Sequence, residues 1–200
     1  MKLAKRLACC SILLAGNLLT HSVFAVEEPA GDFPAITTES FSCIRDLAPV
    51  RDFFVGSLTG DLEATVAAAE KESGITYPVG SVVQLVPTEA MVKREKGFNP
   101  ATKDWEFFEL DVAPEGTAIR ARGFVEVVNK FGGNCFACHI QARPEFDLIC
   151  EQNHGCDPIP LTPTMIDAIQ KTDPRCDAVP LSDEEVAALQ ALAAAVPASE

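Results

Sequence analysis

The sequence predicts an α+β fold: an antiparallel sheet packed with helices, a CxxCH motif near the C-terminal end of the sheet domain, and a loop-rich helical tail tied by disulfides. Three observations lead there. Segments rich in valine and aromatic residues at 81–87, 105–112 and 119–128 follow one another, and only turn residues separate the last two. Helical periodicity appears once before these strands and returns only after residue 160, so there is no βαβ alternation. Residues 134–180 hold five of the six cysteines that lie beyond residue 25, among many prolines.

The elements follow in order. Lys2, Lys5 and Arg6 precede an apolar stretch from Leu7 to about Leu19, and Val23-Phe24-Ala25 places small residues at −3 and −1 of a cleavage site. This layout predicts a secretory signal peptide over 1–25 and an exported, periplasmic protein. A membrane anchor is disfavoured, because Asn17 and His21 interrupt a run already shorter than the roughly 20 residues needed to span a bilayer. A lipid anchor at Cys9 or Cys10 is disfavoured too, because both precede the apolar core.

Residues 26–54 read as an N-terminal lead-in, irregular at least to residue 40, with Pro29, Gly31 and Pro34. Residues 61–73 have apolar positions at Leu62, Val66 and Ala69 and a stop at Gly74, which predicts an amphipathic helix capped by Thr59 or Asp61. Tyr77-Pro78-Val79-Gly80 is a turn, 81–87 a strand ended by Pro87, and Asn99-Pro100 another turn. Residues 105–112 and 119–128 form strands joined by a hairpin loop at 113–117. In the second strand Arg120, Arg122 and Glu126 alternate with Ile119, Ala121, Val125 and Val127, giving one wet and one buried face. After Gly132-Gly133 come short helical pieces such as 164–171. A final helix over 181–200 opens on a Ser182/Glu185 capping box. Residues 55–180 make up the main domain.

Acidic residues number 29 against 16 basic, a net charge of −13 over 200 residues. Removing 1–25 deletes three positive charges and no acidic ones, which takes the charge to −16. Such a surface repels phosphate backbones and anionic lipid, so nucleic acid is excluded as a partner. A redox partner protein or a small-molecule ligand remains.

The chemistry is concentrated in Cys135-Phe136-Ala137-Cys138-His139. CxxCH is the attachment signature of c-type haem. Two thiols three positions apart reach the two vinyl groups of one porphyrin, and the adjacent His139 offers an axial imidazole to the iron. One covalent haem c, bound by Cys135, Cys138 and His139, is therefore expected. The alternatives are a disulfide, a zinc half-site or a thioredoxin-like redox pair. Zinc would need two further converging ligands. A thioredoxin-like pair would sit between strand and helix of a βαβ unit, and none is visible.

Cys43, Cys150, Cys156 and Cys176 remain. In an oxidising compartment an even remainder reads as two disulfides, for which three pairings exist. A local Cys150–Cys156 clasp with a long Cys43–Cys176 closure is the one taken here.

The second axial position decides between an electron carrier and an iron open to small molecules. Met91, Met165 and His154 are the candidate ligands. Met165, within Leu161-Thr162-Pro163-Thr164-Met165, resembles the methionine loop of class I cytochromes c, and Ser182–Leu189 resembles their C-terminal helix. That likeness leaves the first 100 residues after the leader unexplained.

Tyr77-Pro78-Val79-Gly80-Ser81-Val82-Val83, the aromatic strand Asp104-Trp105-Glu106-Phe107-Phe108, and Asn134-Cys135-Phe136-Ala137-Cys138-His139 closing the domain resemble the cytochrome P-460 and cytochrome c′-beta family, over roughly 55–145. The resemblance implies a sheet-based haem domain, usually a homodimer, with His139 as proximal ligand and an open distal side that meets nitric oxide, carbon monoxide or hydroxylamine. Hydroxylamine-oxidising members carry a lysine, cross-linked to the porphyrin, on the strand after the Pro-x-Gly turn. Here that strand reads Ser81-Val82-Val83-Gln84-Leu85-Val86. Lys93, Lys96 and Lys103 come later, in a segment that reads as solvated loop, which argues against the cross-link.

Phe107, Phe108, Phe124 and Phe131 are candidate walls of an apolar pocket that admits neutral diatomics. Arg120, Arg122 and Arg143 are candidate partners of haem propionates, with a solvated strand face as the alternative. Glu106 and Glu109 are candidate proton relays, with surface exposure the plainer expectation. The expected function is a periplasmic monohaem cytochrome that binds or processes small nitrogen-oxide ligands. As an enzyme it would be a haem oxidoreductase acting on nitrogenous small molecules. The alternative is an electron carrier with His139/Met165 ligation.

Overall fold

The computed structural model describes residues 33–195. The signal peptide expected at 1–25 lies outside them, as do residues 196–200. The chain forms one six-stranded antiparallel sheet in simple meander order: β1 (Ala48–Val50), β2 (Phe53–Ser57), β3 (Ser81–Gln84), β4 (Glu89–Lys93), β5 (Trp105–Ala113) and β6 (Gly116–Gly123). Among the described residues four α-helices accompany it: α1 (Leu62–Ala69), α2 (Cys135–His139), α3 (Pro163–Lys171) and α4 (Asp183–Ala195). The class is α+β, with strands and helices segregated along the chain.

Side chains alternate across the sheet, and both faces are covered. On one face Val55, Val83, Met91, Trp105 and Phe107 pack against Ala68 and Ala69 of α1 and against Phe146, Leu148 and Ile149 of the tail. On the other, Val82, Ala90, Val92, Phe108 and Leu110 pack under Ile36 and Phe41 of the N-terminal segment. This double burial explains why Trp105-Glu106-Phe107-Phe108-Glu109-Leu110 sends aromatic side chains to both faces: all six residues are buried.

The structure departs from the sequence expectations in several places. The expected lead-in at 26–54 contains β1 and the start of β2, and its Ile36, Phe41, Ile44, Val50 and Phe53 are core residues. The two strands are short and turn at Arg51-Asp52, with Arg51 at φ 51°, so no long alternation announces them. β4 was hidden by the charges that follow it. Its last residue, Lys93, expected in a solvated loop, is 7% exposed. α1 ends at Ala69 rather than near Ser73. Its cap is Asp61, which accepts from the Ala64 N–H. β6 stops at Gly123 (φ 152°) rather than Val128, because the backbone there takes a conformation that only glycine adopts freely.

The tail is held by specific pins. Cys43 is bonded to Cys176 and Cys150 to Cys156. Next to the first disulfide, Arg175 grips Asp173 through Nε (2.8 Å) and Nη2 (2.6 Å) and also donates to Thr117 Oγ1 and the Phe41 and Pro87 carbonyls. Asp173 in turn accepts the Ile44 N–H at 2.9 Å. α3 is capped by Thr162, and α4 opens on the reciprocal Ser182/Glu185 capping box. Lys171 joins the two helices by pairing with Glu185.

Burial alone would raise the Asp173 carboxyl, but the hydrogen bonds from Arg175 and Ile44 outweigh it and hold it below the usual range. A depressed folded pKa gives stability that is present above the unfolded value and lost as pH falls through the folded one. Asp173→Asn is expected to lower unfolding stability by roughly 3–5 kcal/mol at neutral pH, since it strands a buried guanidinium. Urea titrations will show the gap between wild type and variant narrowing from pH 7 to pH 3.

Candidate functional site

The site is built on α2, a single short helix that carries all of Cys135-Phe136-Ala137-Cys138-His139. Asn134 starts it. Its Oδ1 accepts the Ala137 N–H at 2.7 Å, and its Nδ2 donates to the Val125 carbonyl at 2.8 Å. The loop before it is a closed knot around Asn129, whose Oδ1 accepts the N–H groups of Phe131 and Gly133. The knot is tied to the sheet by two glutamates paired across β4 and β5. Glu89 Oε1 accepts from Asn129 Nδ2 (3.0 Å), and Glu109 Oε1 accepts the Lys130 N–H (3.0 Å). The backbone thus fixes where α2 begins, and the motif residues follow.

Cys135 and Cys138 are half-buried and are not disulfide-bonded. They stand three residues apart, so their side chains share one side of the helix. Burial pushes the Cys135 thiol up to about 12, with the Glu89 and Glu109 carboxylates adding to the effect, and burial also raises Cys138. Both thiols therefore stay protonated at neutral pH, the reverse of what a thioredoxin-like nucleophile needs. Nor, among the described residues, do three or more His, Cys, Asp or Glu side chains converge as a metal set.

His139 points its Nδ1 at the Leu148 carbonyl, 2.7 Å away. A carbonyl only accepts, so Nδ1 carries the proton and Nε2 keeps a free lone pair. Burial lowers the pKa of His139, and the Leu148 hydrogen bond opposes that only in part, so the ring is neutral. Its ring lies 5.4 Å from that of Phe107, which also meets Phe136 at 6.4 Å. Around the motif, Val125, Val128, Phe131 (58%) and Ile140 (51%) leave apolar surface in water.

Other candidates are scattered. Of the four phenylalanines, only Phe107 faces α2. Phe108 lies on the opposite sheet face against Phe41, Phe124 meets Phe98 at a tilt, and Phe131 is exposed, so they do not wall one pocket. The candidate propionate partners already have carboxylates: Arg120 faces Glu109, Arg122 holds Glu106, and Arg143 holds Glu145. Glu106 and Glu109, expected at the surface, are 4% and 0% exposed, because the sheet is covered on both sides. Glu106 lies on the face away from α2, clasped by Arg94 and Arg122.

Met91 is buried beside Phe107 on the α2 face of the sheet. Met165 is half-buried on α3, which packs against α4 and the turn at Ile44–Asp46. His154 stacks on Phe146 at 3.7 Å and donates from Nδ1 to the Ile149 carbonyl. Lys96 is exposed, and Lys103 donates to the Pro144 carbonyl. Sequence reading missed the Glu89/Glu109 anchor and the Lys93–Asp147 ion pair. The partners are distant in sequence and carry no motif.

No family model, curated protein or solved structure matches this chain. The resemblance to the cytochrome P-460 and c′-beta family rests on the motifs quoted above.

A thiol held near 12 is mostly unreactive at pH 8, where an ordinary cysteine of pKa about 8.5 is roughly a quarter thiolate. In the haem-free chain, iodoacetamide is expected to label Cys135 roughly a thousandfold more slowly than an unfolded control peptide. Mass-resolved alkylation kinetics check this.

Proposed function

We propose that this chain is an exported c-type cytochrome, with one haem attached through Cys135 and Cys138 and ligated by His139. The observation that supports this most directly is the state of His139. Its Nδ1–H is committed to Leu148, and its Nε2 is unprotonated and free, the tautomer an imidazole that would hold iron needs. The thiols fit as well. They are unpaired in a chain whose other described cysteines are all disulfide-bonded, and they are protonated, as addition of S–H across a vinyl double bond requires. The exposed Val125, Val128, Phe131 and Ile140 offer apolar contact to a porphyrin face.

Bound there, haem supplies an iron that cycles between two oxidation states and takes up small ligands. Phe107 and Phe136 pack around the His139 ring and carry no charge, so the imidazole sits in an apolar setting. In this reading the physiological ligand is nitric oxide or hydroxylamine, met at an open coordination position in the periplasm. If turnover follows, the protein is a haem oxidoreductase. The acidic surface suits a basic patch on a redox partner protein.

The test is co-expression with haem-maturation machinery, followed by visible spectra with and without carbon monoxide. Covalent haem is expected in the wild type and is expected to be absent in the C135A/C138A double variant. A broad ferrous spectrum that shifts with carbon monoxide, unchanged by Met165→Ala, is the expected outcome. A sharp six-coordinate spectrum indifferent to carbon monoxide and abolished by Met165→Ala would replace this reading with a His139/Met165 electron carrier. Absence of covalent haem would end both.

A further inference from the structure

We propose that the buried Lys93–Asp147 ion pair is the positioning device for His139, holding the Leu148 carbonyl where it must accept from the imidazole. The inference rests on the reading of His139 as an axial ligand and names the residues that would tune it.

The geometry runs without a gap from the sheet to the ring. Lys93, at the end of β4, donates from Nζ to Asp147 Oδ1 (2.9 Å), Asp147 Oδ2 (2.8 Å) and the Lys103 carbonyl (2.8 Å). The ammonium also lies 5.0 Å from the centre of the Trp105 ring. Asp147 is gripped twice more. Its Oδ2 accepts the Tyr77 N–H at 3.0 Å, and its carbonyl accepts from Trp105 Nε1 at 2.8 Å. Side chain and backbone of one residue are thus fixed from three separate stretches of chain.

What this clamp holds is a backbone that would not hold itself. Asp147 and Leu148 are consecutive non-glycine residues in the left-handed region, at φ 50° and 66°. Aspartate tolerates that conformation, whereas leucine rarely adopts it. Leu148 is nevertheless 1% exposed, its side chain packed in the core and its carbonyl turned to His139 Nδ1 at 2.7 Å. The next carbonyl, Ile149, receives His154 in the same way. Without the clamp the favoured backbone is a different one, and the carbonyl leaves the imidazole.

The side chains of the pair are 9% and 7% exposed. A pair this dry adds little net stability over well-packed apolar residues, so its distinctive contribution is geometric. A hydrogen bond accepted from Nδ1–H raises the electron density the ring offers through Nε2, and losing such an outer partner typically weakens a metal site ~10–100-fold.

The test uses Lys93→Met and the milder Asp147→Asn in the full chain, with Arg51→Met as control. Arg51 holds the same stretch through Glu151 at 2.6 Å, and its hydrogen bonds go to Glu151 and the Ala69 carbonyl rather than to Lys93, Asp147 or Leu148. Imidazole nitrogen NMR of the haem-free chain is expected to show His139 as the Nδ1–H tautomer in wild type and Arg51→Met. A shift toward Nε2–H is expected in both clamp variants. In the haem-loaded chain the midpoint potential of the clamp variants is expected to move positive, because a poorer donor stabilises ferric iron less. If Lys93→Met fails to fold, Asp147→Asn decides. A folded clamp variant with the wild-type tautomer overturns the proposal, as does an equal shift in Arg51→Met. A chain that takes up no haem overturns the functional reading, while the NMR comparison still decides whether the pair sets the imidazole.

Discussion

The structure depends on covering both faces of one meandering sheet with a chain that has few helices to spare. β5 presents Trp105 and Phe107 to one side and Phe108 and Leu110 to the other, all at most 1% exposed. Each fully buried aromatic of this kind contributes on the order of 2–3 kcal/mol. The N-terminal segment covers one face and the cysteine-rich tail the other. The Cys43–Cys176 disulfide then joins the two covers, so neither can lift independently. Because loop-closure entropy grows with the length of the closed loop, a bridge across 133 positions restricts the unfolded chain strongly.

Polar residues caught inside this arrangement become its pins. A sheet wet on one side could leave either Glu106, or Glu109 and Lys93, in water. With both faces covered, each must find a partner inside the protein. Glu106 takes Arg94 and Arg122, and Arg122 reaches on to the Ile36 carbonyl of the N-terminal cover. Glu109 takes the Lys130 N–H, which fixes the loop that starts α2. Lys93 takes Asp147. The apolar core fixes which layers meet, and these pins fix their register. The placement of the CxxCH helix is a consequence of the second and third.

That division also explains how much could be read in advance. The signals that survived are local: the Asp61 cap of α1, the Pro114/Gly116 hairpin and the Ser182/Glu185 box. Each needs only residues a few positions apart. What was lost depends on burial. Covering both faces erases the two-residue alternation, so β4 looked like the start of a charged loop and Lys93 like surface. Glu106 and Glu109 likewise read as solvent-facing, because nothing near them in sequence announces the segments that cover them. The partners of Lys93 and Glu109 lie 54 and 21 positions away, beyond any short-range pattern.

The same reasoning separates the chemistries open to a CxxC pair. Thiol–disulfide exchange and zinc binding both require thiolates, which are promoted by exposure, cationic neighbours or metal. Here the surroundings act the other way. Burial dominates, and the nearest charges acting on Cys135 are the carboxylates of Glu89 and Glu109, placed there because they anchor the loop. The anchor that starts α2 therefore also suppresses ionisation of its first thiol. Addition of a thiol to a vinyl group forms one C–S and one C–H bond, consumes the S–H and the double bond, and leaves a neutral thioether. A low-dielectric, negatively charged setting is no obstacle to that product, whereas it would penalise a persistent thiolate. The surroundings of Cys135 thus disfavour the free thiolate that thiol–disulfide exchange needs, and they leave thioether formation, the use proposed above, unopposed.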